Sequence, residues 1–211
     1  GGAIYTVGNV AGTIINNNLV HDIVTTPLHI SEEQVVTSAS SAIVGIYLDD
    51  YSRGVTVTNN LVFNANNSLN FNTVCFNVVA NNIFVNPKIR QMQFGRFFDP
   101  GKYWSQAGLD IKRNVFYSAI PAAYALVVCA YPASSLRVQL PDRIFYNIYY
   151  AAGGYGTCIR DTTAVAHNFD WWRSAGFDRN SLLADPQLDR QAFDARIPWL
   201  QRSYRVGTPP P

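Results

Sequence analysis

The sequence predicts an all-β fold in which short parallel strands stack into a coil, a parallel β-helix. Three observations lead to this prediction: a recurring Asn-Asn-aliphatic phrase, aliphatic residues at fixed positions around it, and a charged content of only 14%. Ordinary globular domains contain about 25% charged residues. The phrase reads NNNLV at 16–20, NNLVF at 59–63 and NNIFV at 81–85.

Five asparagines define the repeat. They are Asn18, Asn60, Asn82, Asn114 and Asn147, at successive separations of 42, 22, 32 and 33 residues. The residue three positions before each asparagine is Ile or Val, and the residue directly after it is Leu, Ile or Val. We interpret the 22-residue spacing as the bare unit and the longer spacings as that unit with an insertion.

A repeat of this length holds two or three short strands and cannot bury its apolar side alone. Stacking equivalent strands in parallel gives aliphatic columns inside a coil, with about five visible rungs. The recurring asparagine is expected at the bend between two strands, where its amide can bond to the next copy as an asparagine ladder. A propeller or sandwich is the alternative, but Asn-Gly and Asp-Gly hairpin turns are absent between the strands.

The pattern divides the chain into three parts. Residues 1–162 are predicted to form the rungs, 163–200 a C-terminal cap, and 201–211 an extended Pro-rich tail. The cap is expected to contain a short helix around Phe169 to Ala175 and to cover the last rung. The chain opens inside a strand-like pattern, so we expect it to be a piece of a longer polypeptide.

Charge and cysteine content exclude some functions. A net charge of +2 without a basic stripe argues against a nucleic-acid partner. The uncharged stretch 118–135 contains two prolines and is predicted as strands, so no membrane span is expected. Cys75, Cys129 and Cys158 match no metal spacing. Buried thiols and a Cys129–Cys158 disulfide with Cys75 left over remain equal alternatives.

Several segments together resemble the right-handed parallel β-helix proteins of the pectate-lyase-like superfamily. The segments are GGAIYTVGNVAGTIINNNLVHDI, GIYLDDYSRGVTVTNNLVFN, NNIFVN and WWRSAGFDRNSLLADPQLD. The nearest likeness is to secreted, glycoside-hydrolase-like β-helix repeat proteins. The resemblance implies a right-handed coil, a polysaccharide or glycan as ligand, and an extracellular or cell-surface location.

One departure from that family concerns its chemistry. Many relatives carry a His-x-His-Tyr-Gly pattern between the GIYLD strand and the NNIF phrase. This chain has Asn70 and Asn72 at the two histidine positions. Any activity that depends on those histidines is therefore in doubt.

Three carboxylates are the candidate catalytic groups: Asp49, Asp50 and Asp22. Glycoside cleavage needs one carboxyl group with a raised pKa to protonate the leaving oxygen and a second that is ionised. Asp22 and Asp49 lie in neighbouring rungs and are expected on one face. Tyr47 is expected to point outward beside Asp49 as an aromatic platform for a sugar. The structural alternative is that the two aspartates of this turn only accept hydrogen bonds from nearby backbone N–H groups.

Further residues are candidates for substrate binding. They are His21, Asn70, Asn72 and Arg90, although His21 shares a column with aromatic residues that favours a stacked, structural ring. Which of Asn70 and Asn72 faces a groove stays open, because a slip of one residue reverses the faces. Asn66 opens the one glycosylation sequon, Asn66-Asn67-Ser68.

Two functions from different classes fit these residues. The first is hydrolysis of a polysaccharide with Asp49 and Asp22 as acid and base or nucleophile, without a cofactor or metal. A lyase, which would require Ca²⁺, is the weaker enzymatic alternative. The second is a non-catalytic structural or glycan-binding module, associated with the rest of a larger polypeptide or with an extracellular assembly.

Overall fold

The computed structural model describes residues 1–24, 43–95, 108–119, 127–129, 143–154, 159–160 and 166–188. These residues are nearly all β, with one short helix, α1 (Phe169–Ser174). The loop at 25–42, the Cys129–Cys158 pairing and the Pro-rich tail lie outside what the structure describes. The helix confirms the expectation of a helical segment beginning at Phe169.

The strands form three sheets. The first contains β1 (Gly2–Thr6), β4 (Val44–Leu48), β7 (Asn67–Asn72), β10 (Arg90–Gly95), β13 (Val127–Cys129), β16 (Ile159–Arg160) and β17 (Ala166–His167). The second contains β2 (Ile14–Asn16), β5 (Thr56–Thr58), β8 (Val78–Ala80), β11 (Asp110–Lys112) and β14 (Ile144–Phe145). The third contains β3 (Leu19–His21), β6 (Leu61–Phe63), β9 (Ile83–Val85), β12 (Val115–Ser118), β15 (Ile148–Ala151) and β18 (Leu182–Leu183).

The chain visits the three sheets in turn, which is a solenoid-like arrangement. Each strand pairs with the equivalent strand of the neighbouring rung, and the described pairings are parallel apart from β16 with β17. The prediction of an all-β chain with stacked parallel strands is therefore confirmed. Parallel pairing also excludes the antiparallel alternative for these segments.

The interior is filled by columns of apolar side chains. The second sheet contributes Ile15, Val57, Val79, Ile111 and Ile144. The third contributes Val20, Val62, Phe84, Phe116 and Tyr149. Ring centroids in the third column are 5.1 Å apart for Phe84 and Phe116, and 5.0 Å apart for Phe116 and Tyr149.

One predicted column points the other way. The residues directly after the repeated asparagines lie outside the main core, and Leu19 is 42% exposed. The asparagines point inward, so the alternation of a strand turns the next side chain outward and the one after it inward. The aliphatic column three residues before each asparagine is in the core, as expected.

The predicted asparagine ladder is present. The backbone N–H and side-chain Nδ2 of Asn60 both donate to Oδ1 of Asn82, at 3.0 and 2.9 Å. The same pair of bonds joins Asn18 to Asn60, Asn82 to Asn114, and Asn114 to Asn147. Each Nδ2 from Asn60 onward also donates to a backbone carbonyl of the preceding rung. Each buried side-chain amide of the ladder therefore has hydrogen-bond partners for both its nitrogen and its oxygen.

The left-handed bend lies one residue earlier than predicted. The residue before each ladder asparagine has a positive φ: Asn17 (57°), Asn59 (56°), Asn81 (58°), Arg113 (54°) and Tyr146 (56°). Asparagine tolerates this conformation better than other residues with a Cβ atom. The Asn-Asn doublet therefore divides two tasks, because the first asparagine makes the bend and the second builds the ladder.

The C-terminal segment closes the ladder with two side chains. Ser181 Oγ accepts the backbone N–H of Asn147 at 2.8 Å, and Asp178 Oδ1 accepts its Nδ2 at 3.1 Å. Together they replace the single asparagine oxygen of a further rung. The other Asp178 oxygen accepts from Tyr149 Oη and Trp172 Nε1, both at 2.9 Å. Trp172 is fully buried, as expected for a residue that seals the coil end.

We predict that Arg113→Asn stabilises the protein by about 1 kcal/mol, because asparagine adopts the left-handed conformation at lower cost. Arg113 is exposed, so the substitution removes no core packing. Urea unfolding followed by fluorescence measures the change. The reciprocal variant, Asn81→Arg, should be destabilised, and equal midpoints for both variants and the parent would contradict the assignment of the bend.

We predict that Asp178→Asn destabilises the cap by about 2–4 kcal/mol, because an amide nitrogen cannot accept the bonds that reach one of the carboxylate oxygens. Urea unfolding followed by tryptophan fluorescence reports on this segment through Trp171 and Trp172. Asp170→Asn, at an exposed position of α1, is the matched control. A midpoint that moves no further than in the control would show that Asp178 does not close the ladder.

Candidate functional site

The candidate site lies where strands of the first sheet end. Asp49 and Asp50 follow β4, and Asn72 is the last residue of β7. Asn72 Nδ2 donates to Oδ1 of Asp49 at 2.8 Å and to Oδ1 of Asp50 at 3.0 Å. Tyr5 Oη, from β1, donates to the other oxygen of Asp49 at 2.6 Å. Three successive strands of one sheet therefore meet at one carboxylate pair.

One additional residue in a turn makes this contact possible. Tyr47 pairs with Asn70, whereas Arg53 pairs with Cys75, so the turn after β4 is one residue longer than the turn after β7. A single asparagine thus faces two aspartates. The same register places Asn70 beside Tyr47, and because Asn70 and Asn72 are two residues apart on β7, both lie on the outer face.

Backbone strain flanks the site on both strands. Tyr51, directly after the aspartates, has φ 63°, and Thr73, directly after Asn72, has φ 52°. A bulky or β-branched residue in the left-handed region costs energy and persists only where surrounding structure enforces it. The preceding rung makes its left-handed turn with Gly8 instead, whose N–H donates to the Asp50 carbonyl at 2.7 Å. Strained left-handed residues therefore lie directly next to the carboxylate pair, as they also do at other turns of the coil.

The two carboxyl groups have pKa values shifted in opposite directions. Burial pushes the pKa of Asp49 upward, but hydrogen bonds from Tyr5, Asn72 and Tyr47 outweigh it and hold that pKa below its usual value. The pKa of Asp50 is raised, first by burial and then by the negative charge of Asp49. The pair thus contains one carboxylate held ionised and one that retains its proton to higher pH.

Two tyrosines border the carboxylates. The Tyr5 and Tyr47 rings meet edge to face, with centroids 5.4 Å apart, and Tyr5 is 47% exposed. The hydrogen bond to Asp49 raises the pKa of Tyr5 to about 12, so this phenol stays protonated as a donor. Burial raises the pKa of Tyr47 as well. The exposed Tyr5 ring and the half-buried Tyr47 ring beside the paired acids offer a surface against which a sugar ring can pack.

Asp22 is not part of this cluster. It occupies the turn after β3, where His21 Nδ1 lies 2.9 Å from its Oδ2 and Asn64 Nδ2 donates to its Oδ1. Asn64 precedes β7 and Asn72 ends it, so Asp22 and Asp49 lie at opposite ends of the strands of the first sheet. The expectation that they share one face is corrected. Asp22 lies in the segment that leads from the third sheet to the first, whereas Asp49 lies in the turn by which the chain leaves the first sheet.

His21 belongs to an outward column of the third sheet. It pairs with Phe63, and the column continues through Val85, Tyr117 and Tyr150. Tyr117 and Tyr150 stack with centroids 5.0 Å apart. The register therefore places His21 in this column, and its polar contact is with Asp22 and not with the carboxylate pair.

Asn70 and Arg90 belong to a buried polar group on the outer face of the first sheet. Arg90 Nη1 donates to Gln93 Oε1 at 2.8 Å. Asn67 Nδ2 lies 3.4 Å from Asn70 Oδ1 and 3.5 Å from Gln93 Oε1. Asn70 and Gln93 occupy the same register position as Tyr47 on successive strands. We call Asn67, Asn70 and Gln93 the amide cluster.

Two other expectations concern modification and metal binding. Asn66 is only 3% exposed, so the folded chain does not present the amide of this glycosylation sequon to solvent. Cys75 is a buried free thiol. Within the ranges that the structure describes, no group of three His, Cys, Asp or Glu side chains is arranged to hold a metal ion.

The comparisons with known proteins return no match: no protein-family model, curated protein or solved structure is similar to this chain. The described part of the chain also lacks any helix with the length and hydropathy needed to cross a membrane. The carboxylate pair, its asparagine bridge and the two tyrosines are therefore the basis for a functional assignment.

We predict that Tyr5→Phe raises the pKa of Asp49, because the variant loses a hydrogen bond that favours the ionised carboxylate. Titration of the ¹³Cγ resonance of Asp49 by NMR measures the shift. Tyr146→Phe changes an exposed tyrosine in the bend directly after β14 and should leave the titration unchanged. An Asp49 titration that is the same in the parent and in Tyr5→Phe would refute the proposed contact.

Proposed function

We propose that the chain is a right-handed parallel β-helix of the pectate-lyase-like superfamily and acts on polysaccharides outside the cell or at its surface. The three parallel sheets, their cyclic order and the asparagine ladder support this assignment of the fold. The resemblance of the GIYLDD and NNIFVN segments supports the superfamily and, with it, carbohydrate as the ligand. A fold alone fixes no chemistry, so the reaction is argued from the site.

The proposed reaction is hydrolysis of a glycosidic bond by Asp49 and Asp50. The observation that carries it is the Asn72 amide, which holds both carboxyl groups within 3.0 Å of one nitrogen. Asp50, with the raised pKa, donates its proton to the leaving oxygen. Asp49, held ionised, attacks the anomeric carbon or activates water.

Release of reducing ends from a panel of neutral and acidic polysaccharides tests this proposal. We expect Asp49→Asn and Asp50→Asn each to lower the rate by about 10²-fold or more, the range for loss of an acid or base. Asp22→Asn is the matched control and should keep full activity, because Asp22 lies away from the pair. Hydrolysis that survives both Asp49→Asn and Asp50→Asn would overturn the assignment.

The opposite pKa shifts predict an acidic pH optimum. The rate should fall at low pH as Asp49 gains a proton, and fall again at higher pH as Asp50 loses its proton. The dependence of kcat/KM on pH, measured for the parent and for Tyr5→Phe, checks this. Because Tyr5→Phe raises the pKa of Asp49, its acid limb should move to higher pH while the other limb stays. A rate that is flat from pH 3 to 7 would contradict the two roles.

A second candidate function is a non-catalytic glycan-binding or structural module of an extracellular assembly. Asn70 and Asn72 favour it, since they stand where the resembling family carries histidines and Asn72 donates to both carboxylates. The chain would then bind a glycan but release neither reducing ends nor unsaturated, ultraviolet-absorbing products. That result would favour this function over hydrolysis and over a lyase.

A further inference from the structure

The outer face of the second sheet changes its chemistry in the last two rungs. Residues that alternate with the core column of this sheet point outward. On β2, β5 and β8 the outward residues are uncharged: Ile14, Asn16, Thr56, Thr58, Val78 and Ala80. The next two rungs place Asp110 and Lys112, then Arg143 and Phe145, at the same positions. Charged side chains on the described strands of this face therefore lie together in two neighbouring rungs.

The bends that follow these strands change in the same two rungs. The first three rungs make the left-handed bend with Asn17, Asn59 and Asn81, whereas the last two make it with Arg113 and Tyr146. Both side chains are exposed, and Arg113 N–H donates to the Tyr146 carbonyl at 3.2 Å, so the two bends are direct neighbours. Neither residue suits this conformation as well as asparagine does. Strained residues that depart from a repeat are typical of functional positions.

One buried carboxylate holds two of the cations in place. Asp110 Oδ2 accepts from Lys112 Nζ at 2.6 Å and lies 3.4 Å from Arg143 Nη2. The Arg143 side chain nevertheless remains 59% exposed. Lys112 Nζ also lies 5.8 Å from the centroid of the Phe145 ring, and that ring meets Tyr146 edge to face at 5.3 Å. The cations and the rings thus form one connected surface.

We call Lys112, Arg113, Arg143 and Tyr146 the basic patch. Its three positive charges face the single negative charge of Asp110, which leaves an excess of positive charge at the surface. A guanidinium group binds a carboxylate or a sulfate through paired N–H donors. Tyr146 is 53% exposed, and an exposed tyrosine ring can pack against the apolar face of a sugar. An acidic sugar presents both an anionic group and such a face.

We propose that the basic patch binds an acidic polysaccharide, one whose sugar units carry carboxylate or sulfate groups. An acidic peptide would also satisfy the cations, but the Tyr146 ring beside them favours a ligand with an apolar ring face. The patch lies on the second sheet, whereas Asp49 and Asp50 lie at the end of a strand of the first. The proposal therefore goes beyond hydrolysis at the carboxylate pair and does not depend on it.

Isothermal titration of the full chain with defined oligomers tests the site. The acidic saccharides are hexagalacturonate and a chondroitin sulfate hexasaccharide, with cellohexaose as the neutral saccharide and hexaglutamate as the acidic peptide. All proteins carry Asp49→Asn to prevent turnover. We expect at least one acidic saccharide to bind more tightly than hexaglutamate. Its affinity should fall between about 0.02 and 0.15 M sodium chloride, because salt screens exposed charges.

Arg113→Asn and Tyr146→Asn are the decisive variants, because asparagine is the residue of the first three bends and suits the left-handed conformation. A loss of binding in these variants therefore does not reflect unfolding, and circular dichroism verifies this. Each variant, and Arg143→Gln, should weaken binding of the acidic saccharide about 3- to 10-fold, as expected for one lost contact. Lys88→Gln removes an exposed cation between β9 and β10 and is the matched control, which should bind like the parent.

Three results would overturn the site. They are no binding of either acidic saccharide, binding that the patch variants leave unchanged, and an equal loss in Lys88→Gln and in the patch variants. Hexaglutamate that binds as tightly as the acidic saccharides would overturn the assignment to a polysaccharide and indicate an acidic protein partner. Hydrolysis at Asp49 and Asp50 is measured with other variants, so either proposal can fail while the other stands.

Discussion

The asparagine ladder is the constraint on which the rest of this structure depends. A stack of short strands must turn twice or more per rung, and every turn takes backbone groups out of the sheets. Here the inward-pointing amides of successive rungs replace the missing partners, because each Oδ1 accepts two donors from the rung before it. The aliphatic and aromatic columns on either side then lie in register, and their burial supplies the hydrophobic stabilisation.

The regular spacing of the ladder shows where the first sheet departs from it, and the carboxylate site lies at that departure. The ladder joins Asn60 and Asn82 with a 22-residue offset, whereas Asn72 contacts Asp49 with an offset of 23. The pairing of β4 with β7 is thus one residue longer than the ladder spacing, and the difference is absorbed in the turn that holds both aspartates. Left-handed, strained residues follow the site on each strand. A departure from the repeat disturbs regular strand stacking. Here the additional residue brings the Asn72 amide, two carboxyl groups and two tyrosines together.

Much of the fold was predictable, because a buried amide column and its apolar neighbours leave a periodic trace in the sequence. The site was less so. The contact of Asn72 with the aspartates depends on a one-residue difference between two turns, and that of Tyr5 depends on pairing across a 42-residue separation. Asp178 had no copy elsewhere in the chain to reveal its role, since a cap occurs once. The pairing of Asp22 with Asp49 failed because neighbouring rungs do not imply the same end of a strand.

Hydrogen exchange at the backbone amides of Asn60, Asn82 and Asn114 tests the ladder most directly, because each of these N–H groups bonds to a side chain and not to a neighbouring strand. The account predicts that they exchange as slowly as the amides of Val62 and Phe84 in the core strands. Rapid exchange at these three amides in an otherwise protected chain would contradict the ladder, and with it the stacking that positions the site.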